Sequence, residues 1–336
     1  MSHPIEEVPP HAAAGKPTLA DLPPVEAPSA GFIVQLFVIP AIVVLVVILV
    51  WLLFGKLAGG ERDAMSYVEI LKSPSANWRT AHELASLLQN DPRLSNDPRL
   101  LGELTDLLAR DLSRSDNPQL TAYLALAVGN FQTLDARLSG GQKLDPVAVL
   151  AGALDTKYPD QVRIAAAISL AKQAARLEGK LDDPTAIKAL GAAASHGDPQ
   201  ARRTAVYALN FFGGDSATRF LRERLDDEDR DVRYNAAVAL GRRDDAAARA
   251  ILREMLSPRD LERVIELENP DEKRSTIEFL ENEALQSLQT AVNNGHTSLA
   301  RALSPEIEEL SKSGLVKVRT EAQALLNSDA LRKSAR

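Results

Sequence analysis

The chain of 336 residues contains no cysteine. That excludes a disulfide framework, a thiolate nucleophile and any Cys-ligated metal. Aromatic residues are few, at 4%. Positive charge does not dominate either: 39 Lys and Arg face 46 Asp and Glu, a net charge of −7. A general nucleic-acid binder is usually basic, so nucleic acid is not expected as a partner. The sequence has no Gly-rich phosphate loop, nucleophile elbow or zinc-helix motif. Of the five histidines, His3, His11, His82, His196 and His296, one is followed by an acid, in His82-Glu83. One such pair cannot assemble a multi-ligand metal site. No metal, cofactor or catalytic residue is expected, and the chain does not read as an enzyme.

Long apolar runs are also missing, with one exception. Phe32 to Phe54 is FIVQLFVIPAIVVLVVILVWLLF, without a charged side chain, and Gln35 and Pro40 alone break its apolar character. As a helix it would be roughly 34 Å long, enough for a bilayer core of about 30 Å. It is too long for a signal-peptide core and follows no positive region, so a retained transmembrane helix over 32–54 is expected. Trp51 and Lys56 stand where interfacial residues belong. Lys16 is the one basic residue before the run, while Lys56, Arg62 and Lys72 follow it. That bias places the C-terminal part in the cytoplasm. A single-pass protein of a bacterial inner membrane is the expectation, with the lipid bilayer contacted through 32–54.

The flanks differ in kind. Residues 1–31 are rich in Pro, Ala and Glu and lack apolar periodicity, so they should be a disordered tail. Residues 55–62 include Gly59 and Gly60 and read as a hinge. The 281 residues after Gly55 hold 38 basic against 42 acidic side chains.

From 63 to 328 nearly everything reads as helix, followed by a C-terminal tail over 329–336. Asp97-Pro98, Asn117-Pro118, Asp145-Pro146, Asp183-Pro184, Asp198-Pro199, Ser257-Pro258, Asn269-Pro270 and Ser304-Pro305 are polar residues followed by proline. The polar side chain can cap free backbone N–H groups, and proline at the next position gives up no needed donor. Glu272, three residues after Asn269, has capping-box spacing. Ser139-Gly140-Gly141 and Phe212-Gly213-Gly214 read as helix stops. No strand alternation is apparent.

The helices repeat. Val162–Leu170, Ala201–Leu209, Val232–Leu240 and Val318–Leu326 align, and weaker copies start at Trp78 and Leu120. The second position is Arg79, Thr121, Arg163, Arg202, Arg233 and Arg319, with steps of 42, 42, 39, 31 and 86 residues; the last has room for two units. In each strong copy the first position, the Ala four on and the Leu eight on share a helical face. Thr185–Ser195, Ala217–Leu225 and Ala246–Leu256 precede copies as short apolar helices. Faces this thin cannot be buried within one unit, so the units must stack into an all-α solenoid of helix pairs.

Asp198-Pro-Gln-Ala-Arg202…Ala205…Ala208-Leu209, repeated as Asp229-Arg-Asp-Val-Arg233…Ala236…Ala239-Leu240-Gly241, resembles HEAT repeats of the type called PBS-lyase HEAT-like repeats. The resemblance spans roughly residues 62–328 and is poorest over 258–314. It implies a non-enzymatic scaffold binding protein partners on a concave surface lined by the second helix of each pair. Some HEAT-repeat enzymes, such as deoxyhypusine hydroxylase, hold iron through several His-Glu pairs, which this sequence lacks; His82 falls where other copies carry Ala. The resemblance also implies that Asp and Arg residues at these positions bond between repeats. Arg163, Arg202, Arg203 and Arg233 are therefore either partner-binding residues or stacking contacts. Two alternatives to a scaffold remain: a bilin-lyase-like enzyme on the same repeats, or an anion- or lipid-headgroup-sensing module using the arginines of 202–243.

Overall fold

The computed structural model describes residues 31, 39–58, 64–74, 76–114, 116–178 and 181–333. Residues 1–30 of the expected disordered tail, 32–38 of the expected span and 59–62 of the expected hinge lie outside the described residues. The chain divides into two units, Met1–Glu61 and Arg62–Arg336.

In the first unit Ile39–Ala58 is a helix (α1) of 20 residues. It continues through Gly55–Ala58, past the end assigned to the apolar run. Side chains are described for Ile39 and Ala41–Val50, all of them exposed. Among the described residues no helix is long and apolar enough to cross a membrane.

In the second unit the helices are α2 (Ala64–Lys72), α3 (Trp78–Asn90), α4 (Pro92–Ser95), α5 (Pro98–Arg114), α6 (Pro118–Gly129), α7 (Pro146–Gly152), α8 (Asp160–Arg176) and α9 (Pro184–Ala193). Next come α10 (Pro199–Leu209), α11 (Gly214–Glu223), α12 (Arg230–Gly241), α13 (Arg249–Met255), α14 (Pro258–Val264) and α15 (Pro270–Asn293). The last are α16 (Ser298–Ala302), α17 (Ser304–Leu310), α18 (Val316–Leu326) and α19 (Asp329–Lys333). A two-residue hairpin, β1 (Ala136–Arg137) and β2 (Lys143–Leu144), pairs antiparallel and packs on α5.

The capping chemistry sets most helix starts. Asp97, Asn117, Asp145, Asp183, Asp198, Ser257 and Asn269 each accept a backbone N–H bond in the first turn of the helix that follows. Ser304 does not cap: it lies inside α17, whose N-cap is Leu303. Asp91, followed by Pro92, is a further cap of the same kind.

The second unit is a two-layer stack. Helices α3, α6, α8, α10, α12, α15 and α18 lie side by side in sequence order and form one layer. Each packs against its partner from the other layer: α2, α5, α7, α9, α11, α13 and α17 respectively. The aligned copies are the first-named layer. The 86-residue step between Arg233 and Arg319 is occupied by α15, which packs on α12 before it and α18 after it.

Small residues allow the close approach. Ala165, Ala166, Ala205, Ala208, Ala236 and Ala239 are buried between helices with leucines such as Leu170, Leu209 and Leu240. A Cβ at Gly129 would lie 2.4 Å from Ser169 Oγ, and one at Gly241 2.6 Å from Ser287 Oγ. Glycine at the end of one helix thus faces serine on the next at two rungs. Ser169 pays no polar penalty there, since its hydroxyl lies 2.8 Å from the Ala125 and Ala165 carbonyls.

Several expectations need correction. Ser139–Gly141 do not stop a helix; they turn the β1–β2 hairpin, with Gly141 at φ +82°. The turn is closed by the Gly141 N–H donating to the Leu138 carbonyl. Gly213 and Gly214 begin α11 rather than end α10, which stops at Leu209. The tail over 329–336 contains α19. At α3 the buried small residue is Ala81, while His82 is exposed, so that copy sits one residue out of the aligned register.

Candidate functional site

The repeated arginines lie at the first turn of each aligned helix, beside the loop that joins the two layers. Arg163 on α8 is buried at 4% exposure. Its Nη1 donates to Asp160 Oδ1 at 2.7 Å, and its Nη2 to the carbonyl of His196, in the next unit, at 2.8 Å. Gly197, at φ +95°, leaves room for that guanidinium: a Cβ there would lie 2.3 Å from Arg163 Nη1. Here glycine answers both the left-handed backbone and the close contact.

Arg202 on α10 repeats the arrangement one rung on. Its Nε and Nη2 make a two-pronged contact with Asp227 at 3.1 and 2.9 Å, and Nη2 also reaches Glu228 Oε1 at 3.0 Å. Its Nη1 donates to the Gly197 carbonyl at 2.9 Å. Arg202 therefore ties its own loop to that of the following unit. Burial pushes the Asp227 carboxyl up, but the Arg202 guanidinium and the Asp229 N–H outweigh it and hold the group below the usual carboxylate range. Hydrogen bonding by Asp227 raises Arg202 correspondingly.

Arg203 reaches the next unit as well, at 2.9 Å from Asp231 and 3.5 Å from Asp229. Arg233 turns inward to its own loop, donating to the carbonyls of Asp227 and Glu228 at 2.8 and 3.0 Å. Arg319 does likewise, to the Ser313 carbonyl at 2.6 Å. Arg230 donates to the Val264 carbonyl at 3.0 Å. The four arginines singled out from sequence are thus all engaged in loop and inter-unit contacts. Planar guanidinium groups suit such work, because the fork fixes direction as well as distance.

The opposite ends of the same helices are joined by a second set of contacts that periodicity does not flag. Arg243 Nη2 donates to the Leu209 and Phe212 carbonyls at 3.0 and 2.7 Å, and its Nη1 to Thr218 at 2.8 Å. It therefore satisfies carbonyls left free where α10 ends. Burial pushes Arg243 below the ordinary arginine range. Two rungs earlier Gln173 does this for α6, with Nε2 at 3.0 Å from the Phe131 carbonyl. The third position after the repeat's Leu is the available signal, and it is obscured because one rung uses Arg and the other Gln.

Aromatic side chains gather on the same layer. Trp78 and Tyr123 stack across α3 and α6 with centroids 5.4 Å apart, and His82 meets Tyr123 edge-on at 5.2 Å. Arg79 lies over the Trp78 ring. On α10 Tyr207 is 52% exposed and meets Phe211 edge-on. Among the described residues no group of three or more His, Asp or Glu side chains could hold a metal ion.

A family model described as HEAT repeats matches residues 170–233 and, overlapping, 187–267. The matched stretch runs from the second half of α8 to α14. Comparison with curated proteins gives no match. Among solved structures it is similar to an engineered protein, at 18% identity and TM-score 0.39, covering 81% of this chain and 99% of that one. It is similar to a designed armadillo repeat protein at 19% identity and TM-score 0.34, covering 79% and 98%. It is also similar to a chain of the Pds5–Scc1 complex at 16% identity and TM-score 0.40, covering 81% and 41%.

Proposed function

We propose that this chain is a membrane-tethered HEAT-repeat scaffold that binds a protein partner and performs no chemistry of its own. The observation that carries the reading is the unbroken row of layer helices from α3 to α18. A row locked by alanine packing and arginine contacts offers an extended surface of fixed geometry, which suits a partner engaged at many points. The exposed Tyr207 and the Trp78–Tyr123 pair supply aromatic anchors of the kind enriched at protein interfaces.

The tether is part of the same proposal. The apolar run over 32–54 is the second contact, with the bilayer of a bacterial inner membrane, and the repeat unit lies on the cytoplasmic side. Confinement to a surface raises the effective concentration of scaffold and partner without adding affinity per contact.

Two measurements test it. Washing membranes with alkaline carbonate should leave the full chain in the pellet; its recovery in the supernatant would remove the tether. A photo-crosslinker at Tyr207, on the layer of aligned helices, should capture a discrete partner in intact membranes. The same group at Lys188, on α9 of the other layer, should not. Equal capture at both positions, or none at either, overturns the scaffold reading.

A further inference from the structure

A second feature lies away from the arginine ladder, where α14, the first half of α15 and the segment before α18 line an open cavity of about 380 Å³. Proline, Ile277 and Leu315 supply apolar wall, and Glu262, Arg274 and Glu281 are its charged lining residues. Glu281 is 1% exposed, and its Oε2 has no hydrogen-bond partner among the described residues. A buried carboxyl without a donor is costly, so its retention beside an open cavity asks for an explanation.

The surroundings decide the sign of any occupant. Residues 258–315 hold twelve acidic and six basic side chains. Glu262 is already met by Lys273 at 3.1 Å. Among charged groups on the elements packed around α15, Arg242 lies 3.9 Å from Glu283, Arg253 pairs with Glu306, Glu254 with Tyr234, and Arg319 with the Ser313 carbonyl. Burial and the neighbouring Glu278 push the Glu281 carboxyl up to about 7. Arg274, on the same stripe as Glu281 and Ile277, is not a source of that shift. An incoming cation would therefore find a carboxyl lacking a donor in a predominantly acidic setting.

We propose that this cavity receives a lysine side chain from a segment of the scaffold's protein partner, with Glu281 as the anchoring carboxylate. The unbranched four-carbon stem would lie against Ile277 and Leu315, and the ammonium would supply the missing donor. A point donor matches one unpartnered oxygen better than the fork of an arginine. Binding requires ionised Glu281, so the carboxyl gives up its proton to solvent as the ammonium enters.

The inference rests on the scaffold reading only for the identity of the partner, and it is tested without one. The probe is the capped peptide Ala-Ala-Lys-Ala-Ala, titrated calorimetrically into the full chain in detergent micelles. The control is the same peptide with norleucine at its centre. Binding of the lysine peptide should tighten about tenfold between pH 6 and pH 8, because a group titrating near 7 passes from about one-tenth to about nine-tenths ionised over that interval. Proton release should accompany binding at pH 7. Glu281→Gln should abolish both the preference over norleucine and the pH dependence, while Glu262→Gln should retain the pH dependence. Circular dichroism of each variant separates loss of fold from loss of site. Equal binding of the two peptides, or no tightening with pH, overturns the inference. Binding of n-butylammonium as tight as that of the lysine peptide also overturns it, assigning the cavity to a free amine. The peptide titration needs no partner and the Tyr207 crosslink needs no peptide, so the two proposals fail independently.

Discussion

Asp244 accepts hydrogen bonds from the backbone N–H groups of Ser298 and Leu299, at 2.9 and 2.7 Å, across more than fifty residues of chain. It lies three residues past the end of α12, at φ +56°, and serves as a remote cap for the start of α16. Everything from α13 to α15 lies between the two. This contact pins the stretch least like a repeat back onto the regular stack.

Asp244→Ala should therefore be costly twice. It removes an acceptor from a helix start, worth about 1 kcal/mol, and places a Cβ-bearing residue without a polar side chain in the left-handed region. Asp244→Asn keeps the acceptor and tolerates that backbone. Urea denaturation should rank the midpoints as wild type, then Asn close behind, then Ala clearly lower.

Arg202 and Asp227 form the most enclosed ion pair of the ladder, with side chains 8% and 5% exposed. Arg202→Met should destabilise by about 3–5 kcal/mol, since it strands a buried carboxylate. Arg202→Met with Asp227→Leu should recover much of that loss in the same thermal melts. The folded-state pKa of Asp227 is lowered, so its stabilising contribution is present above the ordinary carboxylate range and is lost as pH falls through the lower folded value. Wild-type stability should decline more steeply on acidification than that of the double variant.

Gly197 tests the fit between backbone and guanidinium. Gly197→Ala must strain a positive φ and collide with Arg163 Nη1. It should lower stability by more than about 1 kcal/mol. Adding Arg163→Ala relieves the collision but not the strain, so a double-mutant cycle should show non-additivity.

Glu281 should carry an opposite pH signature. Burial pushes its carboxyl up to about 7 in the folded chain, against an ordinary glutamate value of 4.5 when exposed. The folded state thus binds the proton more tightly, and stability falls as pH rises from the lower value through the higher. The difference corresponds to about 3 kcal/mol above pH 7. Glu281→Gln should raise the melting temperature at pH 8 and leave it nearly unchanged at pH 4, as differential scanning calorimetry would show.

The sequence was legible where one residue type has one physical use. A polar residue followed by proline marked seven helix starts because capping and the proline ring act locally. The Ala and Leu spacing marked the stacking faces for the same reason. The glycine pairs misled, because glycine serves equally at a hairpin turn, as at Gly141, and at a helix start, as at Gly214. Register at α3 was misread because Ala81 and His82 are adjacent, and burial alone tells which turns inward. The stretch over 258–314 hid its repeat inside α15, whose length of 24 residues breaks the spacing of the shorter copies. The ladder arginines were found from sequence, but the contacts of Arg163, Arg202 and Arg203 with His196, Asp227 and Asp231, one unit on, emerge only from the fold. Glu281 carried no signal, since one acid among many is unmarked until its burial is known.

The row of layer helices has a consequence for how the molecule comes apart. Helix α3 is flanked within its row by α6, and α18 by α15, whereas every helix between them has neighbours on two sides. Opening should begin at these termini and progress inward, as in other linear arrays. Limited proteolysis would then trim the array from its extremities and spare the middle rungs, where Arg163 and Arg202 clasp successive loops.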